Sequence, residues 1–589
     1  MTHYSLLDFT NPHDSAGPRL RHAFGTPRSV LVARTLAEVR PVLDAVQAAA
    51  ELGAWCVGYL RYEAAPAFDA ALTTHEADGP LAWFAVYDEA LPWPDAKATQ
   101  PQDAPTLHWH SLPERAHFDA AFALIQQAIA SGEFYQVNFT AQMAGMLSGA
   151  ASLDAAKALF HALQRAQPGG YAAFLDTGDE QILSVSPELF FDWRAGHILT
   201  RPMKGTAPRG ATPEDDVAQA QALRSSPKER AENVMIVDLL RNDLSRIAEP
   251  FSVQVPRLFH TEALPAVWQM TSDVQARTRA GCTLADVFAA LFPCGSITGA
   301  PKVRAMQAIR ALEPGPRGVY CGALGVVQPG KNGIVATFNV PIRTVTLRGN
   351  QARCGIGSGI TSGAVAEGEW QEWRHKQAFL ERASMPFEIL ETLALEAGEL
   401  RHATAHLQRM AAATAHFGTP WDAARAHECL HALAQAHPQG LWRVRLLLDA
   451  TGHLSAQAYA MEASPPKVRL QLASRAMDEA HSEFVRFKTT RRAHYDAFTP
   501  IAPGVFDTVL WNADGEITEC TRGNVAMLLD GRWVTPPLAC GLLPGVGRAL
   551  ALRDGKLSEA VVRVDELARV QGWAFVNSLR GWLAAELVT

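Results

Sequence analysis

Two pairs of glutamates stand three residues apart in segments with helical patterning. Glu229 and Glu232 lie in SSPKERAENVMIVDLL, and Glu369 and Glu372 lie in AEGEWQEW. Residues three apart share one face of a helix, so each pair can point both carboxylates in one direction. Two such helices facing each other could hold Mg²⁺, which takes carboxylates, waters and an anionic ligand. The spacing equally fits two solvated helix faces, where acids are common.

A second set of reactive residues occurs in the last third of the chain. Lys488 follows the alternating run EFVRF, Arg409 lies in HLQRM, and Glu519 lies in GEITEC. The segment GLLPGVGRAL is a Pro/Gly turn that leads into a helix, and a helix N-terminus favours phosphate. Taken singly, each feature also fits an ordinary surface, because most lysines are exposed.

The patterning around these residues predicts the elements that position them. The segment 225–248 has apolar residues at helical spacing: Val234, Val237, Leu240 and Leu244. EFVRF predicts a strand that ends at Lys488. Two apolar runs joined by the turn sequence NADG (512–515) predict a β-hairpin, with Glu519 closely following its second strand.

The domain boundary is predicted near residue 385. The helix over EWQEWRHKQAFLERA should end at Ser384-Met385-Pro386, because the residue before a proline is pushed out of helical geometry. This divides the chain into residues 1–384 and 385–589. The segment 90–105, rich in proline and polar residues, is predicted to be a loop.

Composition excludes several classes of protein. The 589 residues carry a formal net charge of -7, which is not the basic footprint of a nucleic-acid binder. The N-terminus has acids and no apolar core of a signal peptide, and no apolar run is long enough to span a membrane. The eight cysteines lack CxxC spacing, so we expect reduced thiols and a cytoplasmic protein without membrane or nucleic-acid partners.

Four motifs around the glutamate pairs occur in an order typical of one family. ENVMIVDLLRNDLSRI, LFPCGSITGAPKVRAMQAI, FNVPIRTV and CGIGSGITSGAVAEGEWQEW resemble the chorismate-utilising enzymes, over about residues 132–383. The resemblance implies a large α+β sandwich with its active site in a deep cleft. It also implies that Glu232 and Glu372 bind Mg²⁺, which bridges to a carboxylate of chorismate, and that Glu229 and Glu369 support it.

The same resemblance assigns further residues to the substrate site. It implies that Tyr320 and Arg343 bind the ring carboxylate of chorismate, and a planar guanidinium suits that group. Gly357 in GIGSGI would bring its N–H to an anion. Glu188 in SVSPELFF would be a neutral acid that protonates the leaving C4 hydroxyl. Two further substrate-binding residues are implied in the second motif: Thr298 and Lys302.

Lys204 in RPMKGT distinguishes subgroups of the family. Anthranilate and salicylate synthases usually carry alanine here, whereas aminodeoxychorismate synthases resemble this chain. A lysine amine can attack C2 of chorismate, after which ammonia adds at C4 and expels it. The amine must be unprotonated, so we expect a depressed pKa for Lys204. Where many relatives carry a histidine, the aligned residue is Gln269.

The ammonia has no source within the chain that the sequence reveals. None of the eight cysteines lies in the Gly-x-Cys-x-Gly turn of a glutaminase nucleophile. The family usually takes ammonia from a separate glutamine amidotransferase subunit. The resemblance therefore implies such a partner, with free ammonia as the alternative donor.

The segment 386–589 resembles the fold-type IV pyridoxal-phosphate enzymes. The order HLQRM, KTT, GEITECTRGN, LLPGVGR and VNSLRG carries this resemblance. It implies that Lys488 carries pyridoxal 5'-phosphate and moves protons, and that Glu519 pairs with the pyridine nitrogen. Arg409 and the backbone of Val546 and Gly547 would hold the phosphate. Many relatives have threonine at Gly547, which would remove one hydroxyl contact.

Together the two resemblances imply successive reactions. The first unit would aminate chorismate to 4-amino-4-deoxychorismate, and the second would eliminate pyruvate to give 4-aminobenzoate, a folate precursor. Two alternatives stay open from the sequence. In one, an anthranilate synthase-like unit is joined to a class IV aminotransferase. In the other, residues 386–589 have the class IV fold but no catalytic activity.

Overall fold

The computed structural model describes residues 4–14, 17–94, 106–111, 114–208, 213–263, 267–384, 387–500 and 502–588. Its chain forms two compact units, Met1–Ser384 and Met385–Thr589. The segment 385–386, where the sequence predicts the boundary, lies outside the described residues, and so does most of the predicted loop at 90–105. No helix in the described ranges is long and apolar enough to cross a membrane.

The first unit contains nineteen β-strands within the described residues, spread along its whole sequence. The strands are β1 (Tyr4–Phe9), β2 (Leu20–Phe24), β3 (Ser29–Ala33), β4 (Trp55–Leu60), β5 (Ala82–Tyr87), β6 (Leu107–Ser111), β7 (Gln136–Leu147), β8 (Tyr171–Asp176), β9 (Gln181–Ser186), β10 (Leu189–Arg194), β11 (His197–Arg201), β12 (Met203–Pro208), β13 (Gln254–Ala263), β14 (Val267–Arg277), β15 (Gly299–Ala300), β16 (Ala323–Gly330), β17 (Gly333–Asn339), β18 (Thr344–Arg348) and β19 (Gln351–Thr361).

Helices connect these strands. They are α1 (Leu36–Glu51), α2 (Arg115–Ala130), α3 (Leu153–Ala166), α4 (Pro213–Ser225), α5 (Pro227–Ser245), α6 (Leu284–Leu291), α7 (Lys302–Leu312) and α8 (Ala366–Ser384). Local sequence starts several of them. Helix α5 begins after Ser226, whose hydroxyl accepts the N–H of Glu229, with Pro227 in the first turn. Thr283 and Asp286 form a capping box at α6.

Two sheets pack face to face in the first unit. One has the order β15-β7-β19-β18-β9-β8-β1-β2, with β6 on β7, and the other has the order β12-β14-β11-β10-β17-β16-β4-β5-β3, with β13 on β14. A core between them takes Leu7 and Tyr171 from the first sheet and Val57 and Val326 from the second. The helices cover the two outer faces, which gives the predicted α+β sandwich.

Helices α5 and α8, which carry the glutamate pairs, differ slightly from the prediction. Helix α5 buries Ile236, Val237, Leu240 and Leu244, whereas Val234 is exposed. The helix that the apolar spacing predicts is therefore present, and of the four apolar residues only Val234 lies outside its buried face. Helix α8 ends at Ser384 as predicted and buries Trp373 against Phe139 of β7.

The second unit has its own strands and helices. The strands are β20 (Ile389–Glu396), β21 (Glu399–Leu400), β22 (Leu441–Leu448), β23 (Leu454–Ala460), β24 (Lys467–Leu472), β25 (Asp507–Trp511), β26 (Ile517–Cys520), β27 (Asn524–Leu529), β28 (Arg532–Thr535), β29 (Ser558–Glu559), β30 (Gly572–Asn577) and β31 (Gly581–Val588). The helices are α9 (Ala403–Phe417), α10 (Ala423–Ala436), α11 (Glu483–Arg486), α12 (Ala493–Asp496) and α13 (Val546–Arg553).

These strands form two sheets with separate cores. The smaller sheet has the order β21-β20-β22-β23, and α9 and α10 cover one of its faces. The larger has the order β26-β25-β24-β31-β30-β27-β28-β29. The predicted hairpin is present as β25 and β26, but Glu519 lies within β26 and does not follow it. EFVR forms the short helix α11, so the predicted strand before Lys488 is wrong. A run of only four residues is too short to distinguish a strand from one turn of helix, and in this turn the neighbouring residues Phe484 and Val485 are both buried.

Candidate active sites

The first site surrounds the side chain of Lys204 on β12. Its Nζ lies 3.3 Å from Oε2 of Glu232, and both side chains are largely buried. The charges of Glu372 and Glu369 also act on it, and that of Lys204 acts on Glu229. The structure therefore brings both predicted glutamate pairs, from α5 and α8, around one lysine.

The predicted depression of the Lys204 pKa is wrong for this arrangement. Burial lowers the pKa, but the charges of Glu232, Glu372 and Glu369 outweigh it, and the pKa is raised above its usual value. The sequence prediction counted desolvation and missed how closely three carboxylates approach. Lys204 is thus held as an ammonium ion, and a nucleophilic role requires that it first lose this proton.

The backbone of β12 is fixed on both sides of Lys204. Asn233, next to Glu232 on α5, donates to the carbonyl oxygen of Lys204 at 3.4 Å. Gln269 on β14 donates to the carbonyl of Gly205 at 2.8 Å and accepts from the hydroxyl of Thr206 at 3.2 Å. The amide of Gln269 therefore holds the strand beside Lys204, which gives this residue a positioning function.

Glu188 is a buried carboxyl beside the same strand. The hydroxyl of Ser296 donates to its Oε1 at 2.7 Å, and the side chain belongs to a residue only 3% exposed. Burial raises the pKa of Glu188 to about 7, although hydrogen bonds from Ser296 and the N–H of Met203 oppose the shift. A substantial fraction is therefore protonated at neutral pH, as a general acid requires.

The other carboxylates differ in their surroundings. Glu372 lies 2.7 Å from the Nζ of Lys376, and this and other cations lower its pKa although burial opposes them. Burial and the charge of Glu372 raise the pKa of Glu369, whose Oε2 is buried without a hydrogen-bond partner. Burial and the charge of Glu232 raise the pKa of Glu229. Like charges thus crowd together, an arrangement that a cation would relieve.

Arg343 is held by the backbone of β9, three residues before Glu188. The carbonyl of Arg343 accepts the N–H of Val185, and its backbone has a φ of 50°, a strained value for a side chain of this size. Burial and repulsion from Arg382 lower the pKa of Arg343 to about 10, and no carboxylate in the described ranges pairs with it. A charged guanidinium without a counterion suits an anionic ligand.

The glycine-rich strand β19 lies close to Tyr320. The ring of Tyr320 packs against Gly355, where a Cβ would collide with it. Gly357 pairs with Thr140 of β7, and its carbonyl accepts a hydrogen bond from Lys376 at 2.9 Å. The paired residues of β18 and β19 end at Cys354, so within the described residues the stretch 355–361 pairs only with β7. The other edge of that stretch can offer N–H groups to a ligand.

Thr298 and Lys302 make contacts within the protein. The hydroxyl of Thr298 donates to the carbonyl of Cys294 at 3.0 Å. Lys302 donates to Asp243 at 2.9 Å and to the carbonyl of Leu291 at 3.2 Å. These bonds join α7 to α5 and to the end of α6, so they support a structural function rather than the predicted substrate contacts.

The second site is built around Lys488, which follows α11. Its carbonyl accepts the N–H of Leu390 on β20 at 3.0 Å. Burial and the charges of Arg409, Arg492 and Arg445 together lower the pKa of Lys488 to about 7, although the charge of Glu391 opposes them. A lysine with this pKa is partly unprotonated at neutral pH, as attack on an aldehyde requires.

Arg409 on α9 reaches the turn before α13. Its Nη1 donates to the carbonyl of Pro544 at 3.1 Å, two residues before Val546. Glu391 fixes the guanidinium with two hydrogen bonds, at 2.8 and 2.7 Å, and also accepts from Nδ1 of His406 at 2.6 Å. The predicted phosphate-binding residues are therefore brought to one place, where the first N–H groups of α13 lie.

Gly547 could not carry a side chain in this arrangement. A Cβ there would lie 2.6 Å from the carbonyl carbon of Asn577 and 2.8 Å from the N of Ser578. The first turn of α13 thus packs directly on the end of β30. The absence of a hydroxyl at this position is a consequence of that close packing.

Glu519 is a buried acid on β26. The hydroxyl of Tyr495 donates to its Oε1 at 2.6 Å, and the N–H of Leu543 donates to the same oxygen at 3.1 Å. Burial raises the pKa of Glu519 to about 8. The carboxyl is therefore mostly protonated at neutral pH and can share that proton with a ring nitrogen.

Comparison with known proteins assigns both units. Residues 13–382, more than half of the chain, match the family of chorismate binding enzymes. The chain belongs to this family. Residues 388–588 match the class IV amino-transferases. The predicted fold class, a chorismate-utilising sandwich followed by a class IV unit, is therefore confirmed.

Two curated relatives and one solved structure illustrate the likeness to this family. Aminodeoxychorismate synthase component 1 of Klebsiella aerogenes is 43% identical over 267 residues, which is 45% of this chain and 57% of the relative. Anthranilate synthase component 1 of Streptomyces coelicolor is 35% identical over 280 residues, 47% of this chain and 53% of the relative. The chain thus spans little more than half the length of these relatives.

The solved structure is that of anthranilate synthase component I from Streptococcus pneumoniae. It is 25% identical, has a TM-score of 0.50, and the match covers 64% of this chain and 90% of that chain. The sandwich of the first unit is accordingly an arrangement found in other chorismate binding enzymes.

The donor sets fit the two cofactors that the families imply. The described residues contain no preformed group of three or more metal-binding side chains. Mg²⁺ commonly uses only one or two carboxylates with waters and an anionic ligand, so Glu232 and Glu372 suffice. The unpartnered Oε2 of Glu369 adds a buried acceptor nearby. In the second unit, Lys488, Arg409 and Glu519 supply an amine, a cation and an acid, as pyridoxal phosphate requires.

The sequence analysis missed two residues of the first site. Gln136 on β7 is fully buried, and both polar atoms of its amide lack a hydrogen-bond partner. A Cβ on Gly359 would lie 2.9 Å from its Nε2 and 2.6 Å from Nζ of Lys204. Lys376 bridges Glu372 and Gly357. Its position four residues after Glu372 was the available signal, whereas Gln136 gave none that distinguishes it from an ordinary strand residue.

Proposed function

We propose that the chain makes 4-aminobenzoate from chorismate in two steps. Residues 1–384 aminate chorismate to 4-amino-4-deoxychorismate, and residues 385–589 eliminate pyruvate from that intermediate. The observation that carries the proposal is the position of Lys204, a potential nucleophile, among four carboxylates and beside the buried acid Glu188. The name of the Klebsiella relative supports the first step.

In the first unit, the charged side chains that lack a counterion among the described residues would bind chorismate. Arg343 would bind the ring carboxylate, with Tyr320 and the free edge of β19 at Gly357 beside it. Glu232 and Glu372, supported by Glu229 and Glu369, would hold Mg²⁺, which when bound neutralises a substrate carboxylate. The binding residues thus place the ring between Lys204 and Glu188.

Amination then requires one acid and one nucleophile. Lys204 first loses its ammonium proton to a neighbouring carboxylate. Glu188 protonates the C4 hydroxyl, which leaves as water while the neutral Lys204 amine bonds to C2 and both ring double bonds shift toward C4. Ammonia next bonds to C4, both double bonds shift back, and the C2–N bond breaks to release the neutral Lys204 amine. Gln269 and Asn233 keep Lys204 in place during both steps by holding the backbone of β12.

Elimination in the second unit uses its own residues. Pyridoxal phosphate, when bound, would supply an electron sink for the carbon that carries the amino group. Arg409, which reaches the turn before α13, and the N-terminus of α13 at Val546 and Gly547 would hold its phosphate, and the buried Glu519 would share a proton with its ring nitrogen. Lys488 removes the proton at C4, so that the C3–O bond breaks, pyruvate leaves and the ring becomes aromatic.

The experiment is an incubation of the purified chain with chorismate, Mg²⁺ and an ammonium salt. With pyridoxal phosphate we expect 4-aminobenzoate and one equivalent of pyruvate. In protein freed of the cofactor we expect 4-amino-4-deoxychorismate, identified by mass and by its conversion with a separate lyase. Anthranilate as the product would overturn the first step.

A second candidate for the first unit is an anthranilate synthase. The 35% identity with the Streptomyces coelicolor relative favours it. Lys204 counts against it, because a nucleophile at C2 blocks the carbon at which anthranilate synthesis places nitrogen. The product analysis above decides between the two.

We also propose a separate glutamine amidotransferase as the source of ammonia. The chain lacks the nucleophile turn of a glutaminase, and the printed name "component 1" of the Klebsiella relative is that of one component of a synthase. Glutamine should therefore replace ammonium salts only when such a subunit is added. Glutamine-dependent product from the purified chain alone would contradict this.

A further inference from the structure

Arg445 is a cation on the face of the small sheet that carries Lys488. It lies on β22 and is only partly buried, and within the described ranges it has no ion pair or hydrogen bond from its guanidinium. Nearby arginines are engaged: Arg409 with Glu391, and Arg492 with the carbonyl of Thr521. Arg445 is therefore free to bind an anion.

Strand register places Arg445 and Lys488 on the same face. Arg445 pairs with Thr392 of β20. On the other side of β20, Ile389 pairs with Thr489, so Lys488 stands opposite Leu390. Cross-strand partners share a face, and residues two apart in a strand also share it. Lys488, Leu390, Thr392 and Arg445 consequently form one row.

This face is distinct from the one that the helices cover. The residues that alternate with this row along β20 and β22 point to the other face. They form the core beneath α9 and α10: Ile389, Leu393, Val444 and Leu446. The row containing Lys488 therefore faces away from that core, toward the side on which Lys488 reacts. Glu391, by contrast, lies on the face of β20 that the helices cover, where it contacts His406 and Arg409 of α9.

The separation of the two side chains suits a ring-sized substrate. Lys488 and Arg445 are two strands and two residues apart, which corresponds to about 12 Å between their Cα atoms at ordinary strand spacings. Both side chains are long, so their charged ends can approach opposite ends of one small molecule. The charge of Arg445 also acts on Lys488, which is consistent with this distance.

We propose that Arg445 binds the ring carboxylate of the second unit's substrate while the amino group at the opposite end of the ring lies at Lys488. This rests on the proposed elimination from 4-amino-4-deoxychorismate, whose amino group and ring carboxylate are para to each other. A charged hydrogen bond at this end would orient the C4 proton toward Lys488. Arg445 is then a substrate-specificity residue, with no part in proton transfer.

The first test measures binding without turnover. The product 4-aminobenzoate keeps the ring carboxylate, whereas 4-aminobenzamide is uncharged and nearly the same shape. Each is titrated into the full chain loaded with pyridoxal phosphate, and the visible absorbance of the cofactor reports binding. The unmodified chain should prefer the carboxylate, and Arg445→Gln should lose that preference, roughly a 10- to 100-fold weakening for a charged hydrogen bond.

Two variants serve as controls. Arg443→Gln removes a cation from the same strand and face, two residues farther from Thr392, where the guanidinium lies over the ring of Tyr459. It should keep the preference for the carboxylate. Arg445→Lys keeps the charge and should retain part of it. All three variants should load pyridoxal phosphate as the unmodified chain does, because Arg445 does not hold its phosphate in this proposal.

The second test measures turnover of supplied 4-amino-4-deoxychorismate. Arg445→Gln should raise KM at least tenfold and change kcat less. If the unmodified chain releases no pyruvate, the proposed elimination is wrong, and the titrations still decide whether Arg445 binds a carboxylate. If pyruvate is released but Arg445→Gln leaves both KM and the carboxylate preference unchanged, the assignment of Arg445 is overturned.

Discussion

Glu188 and Lys204 lie in one cluster, yet different forces move their pKa values. Burial dominates at Glu188 and raises its pKa to about 7, because the hydrogen bonds from Ser296 and Met203 and the charges of Lys204 and Lys376 offset it only in part. At Lys204 the three nearby carboxylates outweigh burial and keep the amine protonated. The acid is thus ready for its proposed reaction, whereas the nucleophile depends on a change in its surroundings.

The rate of amination should follow the protonation of both Glu188 and Lys204. Since Glu188 must keep its proton and Lys204 must lose its own, kcat/KM for chorismate should rise with pH up to about 7 and level off above it, where the two titrations cancel. Glu188→Gln, which cannot supply the proton, should lose about 10²- to 10⁴-fold in rate. The measurement is a pH–rate profile at constant free ammonia, since free ammonia itself increases with pH. In the variant the rate should continue to rise through pH 7, and an unchanged levelling near pH 7 would show that another group titrates.

Replacing Lys204 by alanine should abolish amination while chorismate still binds. The proposed bond to C2 needs this amine, and Arg343, the residue proposed to bind the ring carboxylate, is unchanged. Calorimetric titration with chorismate separates binding from reaction. Lys331→Ala is the control variant. It also removes one lysine, but from an exposed turn between β16 and β17, so its amination rate should equal that of the unmodified chain. Full amination by Lys204→Ala would remove the covalent step from the mechanism.

The sequence motifs predicted which residues would form each candidate site, but they did not predict the pKa values of those residues. Lys204, Glu232 and Glu372 were assigned from local sequence, and the structure brings them together. The raised pKa of Lys204 could not be predicted, because it depends on how closely carboxylates from two separate helices, α5 and α8, approach the lysine. Gln136 was missed for the same reason: its buried, unpartnered amide is visible only beside Lys204 and Gly359.

At the scale of elements, strands β12 and β19 approach each other closely at Lys204. Gly359 permits this approach because it has no side chain. Helices α5 and α8 were predicted from local periodicity, and the β25–β26 hairpin from its turn sequence. The pairing of β7 with β19, separated by about two hundred residues, was not, because register between distant strands is set by tertiary packing.

Gly359→Ala should therefore impair amination without unfolding the protein. The added methyl would lie 2.6 Å from Nζ of Lys204, and displacement of a reacting group by about 1 Å can cost about 100-fold in rate. Gly363→Ala, four residues along, adds the same methyl where no atom lies within 4 Å, and it should keep full activity. Thermal unfolding distinguishes loss of activity from loss of fold. Equal rates for the two variants would contradict a close approach at Lys204.

At the scale of the whole molecule, the chain consists of two units with separate cores and separate reactive lysines. Lys204 belongs to residues packed around the sandwich, and Lys488 to residues packed around the two smaller sheets. No residue is shared between the two proposed sites. The units should accordingly be separable by single substitutions, and the product of one is the proposed substrate of the other.

Lys488→Ala should stop pyruvate release and leave amination unchanged. Lys488 is the group proposed both to carry pyridoxal phosphate and to take the C4 proton, so its loss removes two functions at once. With chorismate, Mg²⁺ and ammonium salts, 4-amino-4-deoxychorismate should accumulate in solution and be converted to 4-aminobenzoate when a separate lyase is added. Lys467→Ala, an exposed lysine of the same unit, is the matched control and should still release pyruvate.

The outcome of that substitution also tests the alternative of a non-catalytic second unit. If Lys488→Ala protein makes 4-aminobenzoate unaided, elimination takes place elsewhere and the second unit is not the lyase. If amination falls together with elimination, the two sites depend on each other and the division at residue 385 does not separate the functions. Accumulation of the intermediate with an undiminished rate of chorismate consumption is the result that two independent sites require, because neither lysine contributes to the other's reaction.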